Sequence, residues 1–158
     1  MSDIVIRHAE PRDAEPLRML MAHPEVYHDT LQIPYPSMEA WQEKLQPRPH
    51  TFHLVATLDE QVAGHLSLHV EPRPRRSHVA TFGMAVAAGH QGRGIGSALV
   101  EAVTGLARAA GCACLTLVTT NDNLNALRFY QKRGFRLRAL RPGAVDAARR
   151  ELRPEIPL

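Results

Sequence analysis

Between the apolar stretch ending at Val86 and the helical period beginning near Leu99, the chain reads Gln91, Gly92, Arg93, Gly94, Ile95, Gly96, Ser97. Three alternate glycines remove Cβ where a helix begins, so bare backbone N–H groups can close on an anion. The helix N-terminus adds unpaired donors and the positive end of its dipole. The chemistry predicted is capture of a phosphate or pyrophosphate. Two common phosphate loops fail the test. A dinucleotide fingerprint needs a third glycine where Ser97 stands, and a P-loop counted from Gly89 to Gly94 needs lysine where Ile95 stands. A glycine-rich turn without a ligand is the alternative reading, and other segments must decide between them.

Those other segments resemble one family. Gln91, Gly94 and Gly96 match the acyl-coenzyme A loop of the GCN5-related N-acetyltransferases: Gln or Arg, two residues, Gly, one residue, Gly or Ala. About thirty residues on, Asn123, Ala126, Tyr130, Gly134 and Phe135 match the family's second motif, Asn, two residues, Ala, three residues, Tyr, then Gly-Phe. The opening Ile6, Arg7, Ala9, Asp13 and Leu17 is similar to the family's first strand and helix, so the resemblance covers nearly the whole chain. It implies an α/β (α+β) fold in which a mixed, mostly antiparallel central sheet is flanked by helices. It also implies transfer of an acetyl group from acetyl-CoA to a primary amine of a small molecule, an amino acid among them, or of a peptide. By the resemblance, Met84, Ala85 and Val86 lie along the pantetheine arm, and the amides of Gln91, Gly92, Arg93, Gly94, Ile95, Gly96 and Ser97 hold the pyrophosphate. Asn123 and Ala126 lie beside the cofactor, with Asn123 serving equally as a helix N-cap. Tyr130 is the expected proton donor to the leaving sulfur.

The base is less legible. Some relatives place a glutamate early in the fourth strand, whereas residues 78 to 86 contain no carboxylate. Imidazole titrates near neutrality, so His78 at the start of that strand is the candidate, with His65 and His69 on one face of the preceding strand. Nine histidines make coincidence easy, and surface or structural roles are commoner. A metal shared by His65 and His69 is disfavoured, because four strand residues separate them by ~13 Å. A non-catalytic acyl-coenzyme A sensor, with the loop kept and the base lost, is the competing class.

Positioning these residues requires a scaffold. Ile4 to Arg7 reads as a strand and Asp13 as the N-cap of a helix burying Leu17, Leu20 and Met21; Ser37 starts a helix carrying Met38, Trp41 and Leu45. Phe52, Leu54, Ala56 and Leu58 alternate with polar residues, Asp59 and Glu60 make a turn, and Val62, Gly64, Leu66, Leu68 and Val70 alternate again, a β-hairpin. His78 to Val86 forms a third antiparallel strand leading into the glycine loop. A helix from Ile95 closes at Gly111, residues 112 to 118 form a buried parallel strand, and a helix from Leu124 to Arg133 precedes a strand from Phe135 to Leu140. After Pro142 and Gly143 the reading is helical from Ala144 to Leu152. The family's usual last strand is therefore expected to be missing, and its open edge to be covered in a homodimer. Acceptor specificity is expected from residues 27 to 41, the loop 72 to 77 and the C-terminal segment.

Composition bounds the rest. With 158 residues and 44% apolar content the chain makes a single domain, 1–158. Cys112 and Cys114 fall two apart on a strand with Cα atoms ~6.6 Å apart, awkward for a disulfide. No apolar run reaches the length of a membrane span and no signal-peptide core opens the chain, so a cytoplasmic protein without a membrane partner is expected. A net charge of +3 and pI ≈ 9.2 suit an anionic cofactor and are too mild for nucleic acid without a coherent basic stripe.

Overall fold

A computed structural model describes residues 3–27, 34–120, 123–142 and 150–157. Strands β1 (Ile4–His8), β2 (Thr51–Leu58), β3 (Gln61–Val70) and β4 (Val79–Val86) run antiparallel in sequence order, and β4 continues parallel to β5 (Cys114–Thr116). Beyond lie β6 (Thr119–Thr120), β7 (Arg136–Pro142) and β8 (Arg150–Pro157). Helices α1 (Ala14–Ala22), α2 (Pro24–Tyr27) and α3 (Met38–Lys44) cover one face; α4 (Ile95–Ala109) packs on the other, with α5 (Leu124–Lys132) against the same core. The mixed, mostly antiparallel sheet flanked by helices is the architecture expected.

Local chemistry accounts for most of the boundaries. Ser37 Oγ accepts from the Ala40 amide, and Asn123 Oδ1 accepts from the Ala126 amide, at 3.2 and 3.3 Å, capping α3 and α5. Gly111, with φ +83, ends α4. Asp13 acts differently from the expectation. Its carboxylate reaches back to the Glu10 amide at 2.7 Å and takes a two-pronged ion pair from Arg7, so it ties β1 to the turn before α1. Burial raises its pKa, but the bonds from Arg7 and the Glu10 amide outweigh burial and hold it below the usual carboxylate value.

Two sequence expectations are corrected. The last strand is present: β8 lies between β5 and β7, pairing antiparallel with both. The helical reading of residues 144 to 152 rested on local propensity, and pairing to two strands outweighs it from Arg150 onward, where Pro154 also bars a helix. Pro154 sits beside the register shift in β7, where a missing N–H is tolerated. Residues 143 to 149 lie outside those described. With β8 in place, the ground for expecting a homodimer is gone.

The second correction is in the hairpin. Asp59 and Glu60 turn it at positive φ, Thr57 pairs with Val62, and Ala56 then pairs with Gly64. Ala63 is an extra residue, a β-bulge. A one-residue slip reverses faces. Val62 therefore packs with α1 and α3, while Gly64, Leu66, Leu68 and Val70 face α4.

Candidate active site

Strands β4 and β5 pair only over Val79–Thr81 and Cys114–Thr116. From Phe82 to Val86, β4 has β3 on one side and no strand on the other among the described residues. The sheet thus opens beside α4, and a cleft of about 740 Å³ fills the opening. It is lined by the glycine loop, by Met84, Ala85 and Val86, by Asn123, Ala126 and Tyr130, and by Trp41, Lys44, His53 and His65.

At the glycine end, Gly92 and Gly94 have φ +79 and +85, and Gly94 is the N-cap of α4. L-residues avoid this region, which explains glycine at both sites. No amide from Gly94 to Ser97 finds a protein acceptor among the described residues; the ladder resumes with the Ala98 amide bonded to the Gly94 carbonyl. Gly96 has a different purpose. A Cβ there would lie 3.2 Å from the Phe129 ring, so it lets α5 approach α4 closely. Arg133 bridges the same two helices: its guanidinium stacks 3.7 Å from the Phe129 centroid, and it hydrogen-bonds Ser97 Oγ and the Phe129 carbonyl. Gln91 and Gly92 line the cleft, while Arg93 is exposed and does not.

Tyr130 also lines the cleft. Phe82, Phe129 and Phe135 pack around its ring at 5.1 to 6.0 Å, mostly edge-on. It is 5% exposed, and its hydroxyl has no hydrogen-bond partner among the described residues. Burial drives its pKa well above the ordinary phenol value, with Arg133 opposing weakly, so the proton stays on oxygen through the neutral range.

The sequence named His65 and Trp41 but missed His53 and Lys44, which join them in the cleft. His53 pairs with Ser67 and Val55 with His65, which makes the two histidines diagonal neighbours on one face. Their rings stack at 5.3 Å and His53 Nδ1 lies 3.1 Å from His65 Nε2. Trp41 meets His65 edge-on, and the Lys44 ammonium sits 4.6 Å from the Trp41 centroid. Counting from the turn alone would put His53 opposite residue 66 and separate the pair; the bulge at Ala63 unites them. The isolated Gly64 in a strand pattern was the available signal for that bulge.

His78 does not line the cleft. Its side chain is exposed at the start of β4, and its carbonyl accepts from the Ala113 and Cys114 amides. His69 is exposed and bonded to Thr51. The loop 72 to 77 also lies away from the lining, and residues 28 to 33 and 143 to 149 of the expected specificity segments are outside those described. Among the described residues, no cluster could hold a metal ion and no helix is long and apolar enough to cross a membrane.

A family model described as Acetyltransferase (GNAT) family matches residues 18–135. The L-amino acid N-acetyltransferase AaaT of Escherichia coli strain K12 is 46% identical over 155 residues, covering 93% of this chain and 96% of that protein. Among solved structures, smu.2055 of Streptococcus mutans UA159 superposes with a TM-score of 0.85 at 25% identity over 97% of this chain and 98% of its own. The fold is shared at the same TM-score and 18% identity with yncA of Salmonella typhimurium, solved with its cofactor acetyl-CoA, over 98% of this chain and 94% of that one.

Proposed function

The chain belongs to the GNAT family of acetyltransferases and carries an acetyl group from acetyl-CoA to an amine; from that premise we propose that its acceptor is a free α-amino acid. One observation carries this reading. Lys44, at the end of the helix that packs on the sheet face opposite α4, places an ammonium at the cleft wall and forms no ion pair among the described residues. A cation left unpaired at a cleft wall is matched by a carboxylate. Glu25 of α2 lines the same cleft and offers the opposite charge to an ammonium. Met21, Val26 and Trp41 supply an apolar wall for the side chain between them. The relative AaaT, an L-amino acid N-acetyltransferase, supports the same class.

The residues fit acetyl-CoA. The free amides from Gly94 to Ser97, with Gln91 and Gly92, are placed to take its pyrophosphate, and the unpaired edge of β4 at Met84, Ala85 and Val86 is placed to pair with its pantetheine arm. When bound, it supplies an acetyl thioester open to attack by nitrogen. Asn123 and Ala126 border this path. Tyr130, protonated and without a partner for its hydroxyl, gives a proton to sulfur as the bond to carbon breaks.

The test is thiol release from acetyl-CoA with L-amino acids set against amines of the same side chain lacking the carboxylate, with dipeptides and polyamines alongside. Hydrogen bonds to charged groups are worth ~1.5–3 kcal/mol, so the amino acids should lead by roughly 10- to 100-fold in kcat/KM. Lys44→Met should erase the lead through KM. Equal use of amines without the carboxylate, or a lead that survives Lys44→Met, overturns the reading.

A further inference from the structure

We propose that His53, oriented by His65, is the base that takes the proton from the acceptor's ammonium. The inference rests on the amine-acetylating reading above and deepens it. An ammonium has no lone pair, so a proton must leave the acceptor before nitrogen can attack, and at neutral pH a base in the cleft speeds that step. The described strand β4 offers no carboxylate, and His78 stands outside the cleft. Of the titratable groups along the lining, Lys44 and Arg133 are cations, Tyr130 keeps its proton, and Glu25 is an exposed carboxylate assigned above to hold the ammonium's charge. His90 sits in the glycine loop with Nδ1 against the Ala88 carbonyl at 3.2 Å. Two histidines remain, together.

Their geometry assigns the roles. His65 is 5% exposed, between Trp41 and His53. Burial, aided by the nearby His53 and Lys44, pulls its pKa down to about 3, so it stays neutral and cannot itself serve as the base. A neutral imidazole has one donor and one acceptor nitrogen. With the His65 proton on Nδ1, its Nε2 accepts from His53 Nδ1–H across the 3.1 Å contact. His53 then keeps its lone pair on Nε2, the nitrogen not engaged by His65, and the bond persists when His53 becomes imidazolium. His53 is half-buried and lines the cleft. The charged groups around it are Lys44 of α3 and Arg48 just after it, with Glu25 of α2 on the same cleft. Burial first, then Lys44 and Arg48, lower its pKa, so it meets the substrate as free base at neutral pH.

The step balances. The acceptor arrives as an ammonium with three N–H bonds. His53 Nε2 takes one proton and later releases it to solvent. The nitrogen–carbon bond forms as the carbon–sulfur bond breaks, nitrogen gives up a second proton, and sulfur gains one from Tyr130, which that second proton replaces. One proton leaves per turnover.

The experiment compares the intact wild-type protein with His53→Ala and His53→Gln in the thiol-release assay from pH 6 to 10, with acetyl-CoA affinity followed by calorimetry. At pH 7 kcat/KM should fall about 10²- to 10³-fold with cofactor affinity unchanged. The deficit should shrink as pH rises, because the acceptor then loses its own proton. Added imidazole should restore turnover to His53→Ala and not to His53→Gln. His65→Asn, which keeps an acceptor, should retain more kcat than His65→Leu. A deficit equal at every pH and blind to imidazole, or wild-type rates in His53→Ala, overturns the base while the acetyltransferase reading stands. A wild-type protein that acetylates no amine overturns both.

Discussion

Tyr130 is structural by its ring and, in the function proposed above, the proton donor by its oxygen. The ring is enclosed by three phenylalanines, so Tyr130→Phe should leave stability within about 1 kcal/mol and cofactor affinity unchanged. The hydroxyl meets no protein acceptor among the described residues, so its loss should be felt in turnover. A general acid contributes on the order of 10²-fold, and a thiolate of pKa ~8.5 leaves tolerably without one. Tyr130→Phe should therefore retain residual activity at about one hundredth of the wild-type kcat. Full kcat across pH 6 to 9 would remove Tyr130 from the reaction. Its position was legible because it falls in a spaced motif. His53 was not, because nothing near it in sequence marks its partner.

At the scale of an element, the loop from Gln91 to Ser97 and the first turn of α4 work as one device. Positive φ at Gly92 and Gly94 aims the chain so that successive amides are left without acceptors. Gly94→Val puts a β-branched side chain into the left-handed region, at a strain of ~1–2 kcal/mol in stability. Its Cβ meets only the Ile4 side chain, at 3.8 Å, so the fold should survive. The side chain would stand where the amides must reach an anion. Losing two charge-assisted hydrogen bonds lowers coenzyme A affinity by about 10²-fold or more, which calorimetry against the wild type will read. Unchanged affinity would dissociate the loop from cofactor binding. The loop itself was readable from spacing, whereas the division of labour within it was not: Gly96 is needed for the approach of Phe129, a contact between segments more than thirty residues apart.

For the molecule as a whole, acid should be destabilising in two stages. His65 titrates at about 3 when folded and near 6.5 when unfolded, so between those values the unfolded chain binds the extra proton. The stability due to neutral His65 is complete above pH ~6.5 and is lost as pH falls toward 3, with a slope of up to about 1.4 kcal/mol per unit. Asp13 adds to this at the acid end, because its depressed pKa makes its contribution present above the ordinary carboxylate value and lost as pH falls through the folded one. Urea midpoints measured from pH 7.5 to 4 should fall steadily in the wild type. In His65→Leu the decline between pH 6.5 and 4.5 should flatten. A wild-type midpoint constant across that interval would mean that His65 is not held neutral by the fold.

What the sequence determined by itself was the family, the glycine-rich turn into α4, the strands β1 to β5 and β7, and the helix that carries Tyr130. Each depends on interactions within a few residues: an N-cap, a glycine at positive φ, or apolar residues at the period of a strand or helix. The tertiary structure decided the rest. A last strand is present because β8 gains pairing on both sides, from β5 and β7, which local helix propensity cannot reveal. Likewise, His53 and His65 share a face because one bulged residue, Ala63, shifts the register of β3 against β2. Strand register is a property of two segments together, and a slip of one residue exchanges every side chain between the two faces of a sheet.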